Sequence, residues 1–180
     1  EELDVQFVEL YTTVLDRDSH PVRDLEQRDF RVLEDGVPQE IVRFERLENL
    51  PIHVAILLDV SASMESNLAQ AKAAALEFFE SAITPKDRGA LIVFNDHPLL
   101  AVKLTNQLPA LASGLSGLKA ERGTSLYDSV VFSLFYFNGI KGQRAILLLS
   151  DGKDEGSRFD VAETLDFARR AGIAIYTVGL

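Results

Sequence analysis

The fold is decided by the stretch IHVAILLDVSAS, residues 52–63, in which a nearly continuous apolar run ends abruptly in polar residues. A run of this kind is typical of a strand that is buried on both faces of a sheet. Asp59, Ser61 and Ser63 follow the run and place one carboxylate and two hydroxyl groups at the end of that strand. Because these residues are two positions apart, their side chains point the same way in an extended loop. The stretch therefore predicts a central strand with a polar site at its carboxyl end.

Strands and helices alternate on the carboxyl side of this stretch, which predicts a mostly parallel sheet with helices on both faces, a doubly wound α/β fold. The patterns predict helices over residues 65–83, 108–118, 125–137 and 161–171, and strands over residues 90–94, 99–104, 144–149 and 173–178. The link between residues 90–94 and 99–104 is short enough to permit only an antiparallel hairpin. One edge strand of the sheet should therefore run backwards.

The amino-terminal part has a different texture, with strand and turn patterns and no helical period. We predict a small all-β module over residues 1–49, followed by the α/β domain over residues 50–180. Apolar residues alternate over residues 3–14 with a slip of one position, which indicates a long strand with a bulge or bend. Residues 30–47 read as a β-hairpin that turns at Asp35-Gly36, because this dipeptide readily supplies a positive φ.

The composition narrows the classes of function. The chain has 18 basic and 28 acidic residues, a formal net charge of −10, which argues against nucleic acid and an anionic membrane surface as partners. It has no cysteine, so disulfides, thiolate metal sites and cysteine nucleophiles are excluded. No apolar stretch reaches the roughly 18 residues expected of a membrane span. The start of the chain lacks the pattern of a signal peptide.

Two further polar clusters fall on the same predicted rim of the sheet as Asp59. Thr124 lies in a Gly-Thr-Ser loop directly before a helix, and Ser150-Asp151-Gly152 follows the strand of residues 144–149. All of these side chains offer oxygen, and none offers nitrogen or sulfur. Oxygen ligands suit hard cations such as Mg²⁺, Mn²⁺ and Ca²⁺ better than zinc or copper. The pattern therefore predicts a divalent-cation site, with Mg²⁺ as the expected ion and Mn²⁺ or Ca²⁺ as alternatives.

These motifs resemble the metal-ion-dependent adhesion site of von Willebrand factor A domains, and the resemblance covers residues 51–180. In that family the serines and the threonine bind the metal directly, and the aspartates usually act through water. The resemblance assigns the first role to Ser61, Ser63 and Thr124, and the second to Asp59 and Asp151. Asp128 is a candidate for orienting this site or for a local capping role. A second, adjacent metal site is not expected, because Glu65-Ser66 do not match the family's extra acidic pair.

The resemblance implies a protein-binding module without enzymatic activity, whose metal captures an Asp or Glu carboxylate of a protein partner. The first 49 residues also resemble the β-module of a group of bacterial VWFA-related proteins, in Val22-Arg23-Asp24-Leu25, Asp29-Phe30-Arg31-Val32 and Glu34-Asp35-Gly36. Such proteins are typically exported, so we expect a secreted or cell-envelope location. A domain of this family normally continues with a helix, a strand and a final helix after Gly179-Leu180, so we expect the domain to be incomplete at its carboxyl end.

Three alternatives remain open at this level. The aspartates could simply end strands, while Ser61 and Ser63 cap a helix. The domain could also be a von Willebrand factor A fold that has lost its metal. An enzyme resembling the haloacid dehalogenase group would likewise place Asp59 after the first central strand, but it needs a second aspartate where Ser61 stands. Phosphatase turnover that depends on Asp59 would favour that third reading.

Some other residues are expected to be structural. The strand position of His53 predicts a core or sheet-edge histidine rather than a ligand. The aromatic residues of 132–137 have helical spacing and are expected in the core. Asp154-Glu155 should form a solvated loop face, although an extension of the cation site is the alternative.

Overall fold

The computed structural model describes residues 8, 10, 12, 14–18, 20, 22–46 and 50–180. The chain divides into two compact units, Glu1–Asn49 and Leu50–Leu180. The predicted long strand over residues 3–14 lies mostly outside the described residues.

The first unit contains a small antiparallel hairpin. Strands β1 (Val32–Glu34) and β2 (Val37–Gln39) pair with Val32 opposite Gln39. The turn between them is Asp35-Gly36, and both residues have a positive φ, 49° and 82°. Nearby, the rings of Phe30 and Phe44 pack with their centroids 5.3 Å apart. The predicted hairpin is confirmed, but its second strand is shorter than the sequence pattern suggested.

The second unit is a five-stranded sheet with helices on both faces, so the predicted fold class is confirmed. The strand order is β5-β4-β3-β6-β7, with every neighbouring pair parallel except the antiparallel β4 and β5. The edge position and reversed direction of β5 are as expected. The strands are β3 (Ile52–Asp59), β4 (Arg88–Phe94), β5 (Pro98–Thr105), β6 (Gln143–Ser150) and β7 (Ala174–Gly179). The helices are α1 (Leu68–Ala82), α2 (Leu108–Ser116), α3 (Leu126–Tyr136) and α4 (Val161–Ala171).

The central strand β3 is buried because both of its faces carry apolar side chains. Ile56 and Leu58 point to the face covered by α1 and α2. Ala55 and Leu57 point to the opposite face, which α3 and α4 cover. All four residues have no exposed surface. The continuous apolar run is therefore explained by two cores that share one strand.

The order of the strands in the sheet determines where the candidate site lies. From β3 the chain continues to β4 on one side, whereas β6 lies on the other side of β3. The carboxyl ends of β3 and β6 therefore flank the point at which the order of the sheet reverses, where ligands bind in open α/β sheets. Asp59 is the last residue of β3, and Ser150 is the last residue of β6.

Two expectations need correction. Helix α1 begins at Leu68 rather than Glu65, because a short 3-10 helix, Ala62–Met64, and a turn occupy the intervening residues. The aromatic residues of α3 do not all lie in the core. Phe137 is fully buried, but Phe132 is 36% and Phe135 is 60% exposed, because they lie on the outer side of the helix. No described helix is both long and apolar enough to cross a membrane.

Candidate functional site

The loop after β3 presents its polar side chains as a connected group. Asp59 and Ser61 are buried, with 0% and 1% of their surface exposed, whereas Ser63 is exposed. The backbone N–H of Ser61 donates to Asp59 Oδ1 at 2.8 Å. The hydroxyl oxygens of Ser61 and Ser63 lie 3.1 Å apart, within hydrogen-bond distance. The two hydroxyl groups are therefore adjacent to each other, next to the buried carboxylate of Asp59.

The three predicted segments are joined to one another by hydrogen bonds. Ser150 Oγ donates to Asp59 Oδ2 at 2.6 Å, which joins the end of β6 to the end of β3. Glu121 N donates to Val60 O at 2.8 Å, which joins the threonine loop to the first segment. Thr124 O accepts from the backbone N–H groups of residues 155 and 156 at 2.9 and 3.0 Å, which joins that loop to the third segment. Residues far apart in sequence therefore meet at one rim.

Asp151 lies at this rim with 13% of its side chain exposed. Its Oδ2 pairs with Lys153 Nζ at 2.8 Å, its Oδ1 accepts from Lys153 N at 3.2 Å, and it also receives a hydrogen bond from the Ser63 hydroxyl. Burial raises the pKa of Asp151, but the hydrogen bonds from Lys153 and Ser63 outweigh burial and leave the pKa below its ordinary value. The contact with Ser63 shows that the first and third segments touch through side chains.

The threonine loop is held in place by the turn between β4 and β5. Ser125 N donates to Asn95 O at 2.7 Å, and Ser125 Oγ donates to Asp96 O at 2.7 Å. The side chain of Asn95 also donates to Glu121 Oε2 at 3.0 Å. Thr124 is buried, with 4% of its surface exposed. The position of Thr124 therefore depends on residues of a neighbouring turn.

Asp128 and Asp154 have structural roles in the loop that follows Asp151. Asp154 Oδ1 accepts a hydrogen bond from Leu126 N at 2.7 Å and so caps the start of α3. The sequence had suggested a solvated loop residue or an extension of the cation site at this position, and neither expectation included a helix cap. Asp128 accepts from the backbone N–H groups of Arg158 and Phe159 at 2.8 and 3.1 Å. Burial raises the pKa of Asp128, but these hydrogen bonds and the guanidinium of Arg158 lower it below its ordinary value. The hydrogen bonds of both carboxylates hold this loop against α3.

The donor set fits a hard divalent cation. Asp59, Ser61, Ser63, Thr124 and Asp151 offer oxygen atoms only, and this is the chemistry that Mg²⁺, Mn²⁺ and Ca²⁺ select. Among the described residues there is no group of three or more His, Cys, Asp or Glu side chains that could hold a metal. A cation at this rim would therefore rest on hydroxyl groups as well as on the two carboxylates.

The helix-capping alternative for the two serines is not supported. Ser61 precedes the 3-10 helix and Asn67 precedes α1, and neither side chain makes a capping hydrogen bond within the described structure. The hydroxyl groups of Ser61 and Ser63 contact each other, and Ser63 also contacts Asp151. These side chains are therefore directed at the rim and not at a helix start.

Two residues that contribute to the site were not among the predicted ligands, although Ser150 belongs to one of the predicted polar clusters. Ser150 ends β6 and donates to Asp59, and a polar residue at the last position of a buried strand was its signal. Lys153 pairs with Asp151, and a basic residue two positions after the aspartate was its signal. His53, expected to be structural, is partly buried, its Nδ1 has no hydrogen-bond partner among the described residues, and burial lowers its pKa.

Comparison with known sequences identifies one family. The family model for the von Willebrand factor type A domain matches residues 54–153, more than half of the chain. The matched range runs from β3 to the segment after β6, so it includes all five candidate site residues. A search of curated proteins finds no significant match.

Solved structures with the same fold come from several bacteria. The conserved hypothetical protein BatB from Bacteroides thetaiotaomicron is 22% identical, with a TM-score of 0.62 over 71% of this chain and 66% of that chain. A von Willebrand factor type A protein from Catenulispora acidiphila is 18% identical, with a TM-score of 0.60 over 72% of this chain and 33% of that chain. A structure of three N-terminal domains of the type V pili tip protein Mfa5 from Porphyromonas gingivalis is 20% identical, with a TM-score of 0.55 over 63% of this chain and 22% of that chain. The chain thus spans less than two thirds of each of these proteins.

Proposed function

The chain belongs to the von Willebrand factor type A domain family, and on that premise we propose that residues 50–180 form a divalent-cation-dependent protein-binding module without enzymatic activity. The observation that carries the proposal is the meeting of three distant segments at one rim, through Ser150 with Asp59, Glu121 with Val60, and residues 155 and 156 with Thr124. Such a rim brings hydroxyl and carboxylate oxygens together at the point where open α/β sheets bind ligands.

The residues proposed to hold the cation divide by charge. Ser61, Ser63 and Thr124 would supply neutral hydroxyl ligands, and Asp59 and Asp151 would supply negative charge, directly or through water. Neutral ligands leave more of the cation's charge available to a partner than carboxylate ligands do. A bound Mg²⁺ would supply a Lewis-acidic position for one carboxylate oxygen of an Asp or Glu on that partner.

The surroundings of the site support a binding role over phosphate hydrolysis. The position two residues after Asp59 is Ser61, which cannot act as a general acid at neutral pH. We expect no turnover of an aryl phosphate, and turnover that Asp59→Asn abolishes would refute this part of the proposal.

The proposed location of the protein follows from two resemblances. The Mfa5 domains belong to a pilus tip protein, and the amino-terminal module resembles that of exported bacterial proteins. We propose that this domain acts at the cell surface or in the cell envelope, where a protein ligand offers the carboxylate.

The test of cation dependence is a calorimetric titration of Mn²⁺ and Mg²⁺ into the wild-type chain and two matched serine variants. Ser63→Ala removes an exposed hydroxyl of the site, so the variant should fold and bind the cation about tenfold more weakly. Ser66→Ala removes an exposed hydroxyl three residues further on and should bind as the wild type does. Asp59→Ala should abolish binding. Equal affinity in the wild type, Ser63→Ala and Asp59→Ala would refute the proposed site.

The proposed capture of a partner's carboxylate by the bound cation is tested separately. The Mn²⁺-loaded domain is titrated with the peptides acetyl-Gly-Glu-Gly-amide and acetyl-Gly-Gln-Gly-amide, while water-proton relaxation reports the waters on the ion. The Glu peptide should displace water and lower the relaxation rate, whereas the neutral Gln peptide should not. The same response to both peptides would contradict capture of a carboxylate.

A further inference from the structure

Lys153 places a positive charge at the candidate cation site. Its Nζ lies 2.8 Å from Asp151 Oδ2, while its own backbone N–H donates to Asp151 Oδ1 at 3.2 Å. Both oxygens of one carboxylate are therefore engaged by a single residue two positions away. The lysine side chain is 61% exposed, but the aspartate side chain is only 13% exposed. The ammonium group thus lies over a carboxylate that is mostly withdrawn from solvent.

The ion pair of Arg158 and Asp128 also joins an exposed basic side chain to a mostly buried carboxylate, but Asp128 is not among the five proposed site residues. The pair of Arg170 and Asp166 joins two side chains that are 77% and 53% exposed, so solvent screens it on both sides. Lys153 also lies within electrostatic range of Glu155 and, more weakly, of the buried carboxylate of Asp59. Among the described residues, no other lysine or arginine forms an ion pair with Asp151, and none forms one with Asp59. Lys153 is therefore the basic residue that pairs with a site carboxylate in this structure.

We propose that Lys153 is a built-in counter-ion that competes with the divalent cation for Asp151 and thereby sets the cation affinity of the site. The inference rests on the proposed cation site. A divalent ion that uses Asp151, directly or through water, shares the negative charge of that carboxylate with the ammonium group. The ammonium then either shifts or stays beside an ion of like charge, which weakens binding of that ion. The flexible four-carbon stem of lysine allows this displacement without a change in the backbone.

Three lysine variants isolate the effect of this charge. Lys153→Met keeps most of the apolar stem and removes the charge, so it should bind Mn²⁺ about tenfold more tightly than the wild type. Lys153→Arg keeps the charge and should bind within about twofold of the wild type. Lys103→Met removes one positive charge from an exposed position on β5, away from the site, and controls for the change in net charge. Affinities come from calorimetric titration, and a fluorescence unfolding curve for each variant checks that it is folded.

The outcomes separate this inference from the proposed function. Tighter binding by Lys153→Met alone supports the counter-ion role. Equal affinity in Lys153→Met and the wild type, together with weaker binding by Ser63→Ala, overturns the counter-ion role and leaves the cation site standing. A gain that Lys103→Met reproduces also overturns it, because net charge then explains the effect. Absence of Mn²⁺ binding in every variant overturns both proposals.

Discussion

Gly123 packs directly against the side chain of Asp96, so closely that a Cβ atom on Gly123 would overlap Asp96 Oδ1. Gly123 also has a φ of +89°, a conformation that costs other residues about 1–2 kcal/mol. The contact sets the path of the loop that carries Thr124. We expect Gly123→Ala to lower the free energy of unfolding by more than this conformational cost alone, because overlap adds about 1–3 kcal/mol. Urea unfolding followed by fluorescence measures the loss.

The matched control for this variant is Gly139→Ala. Gly139 has a φ of +76°, but a Cβ atom there would have no neighbour within 4 Å. An alanine at position 139 therefore adopts the same unfavourable φ without any steric overlap. Equal losses in Gly123→Ala and Gly139→Ala would show that the contact with Asp96 does not constrain the threonine loop. A double variant, Gly123→Ala with Asp96→Gly, should recover part of the loss because the overlapping carboxylate is gone.

Because Asp154 caps α3, we expect two substitutions of Asp154 to lower the free energy of unfolding by different amounts. Asp154→Ala removes the acceptor for Leu126 N and for the hydroxyl of Ser157, so we expect a loss of about 1–2 kcal/mol. Asp154→Asn retains an oxygen acceptor and should lose less than half of that. Both values come from urea unfolding at pH 7. An Asn variant as unstable as the Ala variant would show that charge at the helix start, and not the hydrogen bond, is what stabilises α3.

The predictability of this fold from the sequence depended on burial. The run from Ile52 to Leu58 is apolar on both faces because two helical layers cover it, so a central strand could be predicted from residue types alone. The reversed edge strand followed from the short link of residues 95–98 between the predicted strands, since chain length excludes a crossover. Features that follow from burial or from the length of a link were therefore visible in the sequence.

Features that depend on distant partners were not visible. The start of α1 was misplaced because the turn that precedes it has no strong signal in residue type. Phe135 was expected in the core because helical spacing does not tell which side of a helix is covered. The hydrogen bond from Ser150 to Asp59 joins residues 91 positions apart, and only the folded sheet brings them together. The five oxygen-bearing residues were predicted from the ends of strands and the start of a helix, but the hydrogen bonds that unite the three segments were not.

Asp87 predicts a specific dependence of stability on pH. Its buried carboxylate accepts hydrogen bonds from Ile52 N at 2.8 Å and from the backbone and hydroxyl of Thr84. Burial raises the pKa of Asp87, but these hydrogen bonds and the charge of Lys86 lower it below its ordinary value. A folded-state pKa below the unfolded value of about 3.9 means that the ionised carboxylate stabilises the fold above that pH. This contribution is lost as the pH falls through the folded-state pKa.

The variant Asp87→Asn isolates this contribution. At pH 7 it should be less stable than the wild type by about 1–3 kcal/mol, because a buried acceptor for charge-assisted hydrogen bonds is lost. The difference should shrink as the pH is lowered from 5 to below 3, since the wild-type carboxylate becomes protonated there. Urea unfolding at each pH gives the two curves. A difference that stays constant over this range would contradict the lowered pKa of Asp87.

Gly114 illustrates how close packing can reverse an ordinary helix preference. In a helix interior, alanine is normally better than glycine by about 1 kcal/mol. A Cβ atom on Gly114, inside α2, would overlap Val102 Cγ2 on β5 and lie 3.3 Å from Leu91 Cδ2. Valine is stiff at χ1, so its methyl group cannot easily move away. We therefore expect Gly114→Ala to destabilise the domain by about 1–3 kcal/mol despite its better helix propensity.

Two further variants test whether packing is the cause. Gly117→Ala, at the carboxyl end of the same helix, would place a Cβ atom with no neighbour within 4 Å, so its stability should stay within about 0.5 kcal/mol of the wild type. Gly114→Ala combined with Val102→Ala should be more stable than the sum of the two single losses predicts, because each change makes room for the other. Thermal and urea unfolding give the four values of this double-mutant cycle. Strict additivity, or a stabilising Gly114→Ala, would mean that α2 and β5 are not packed as closely as the structure places them.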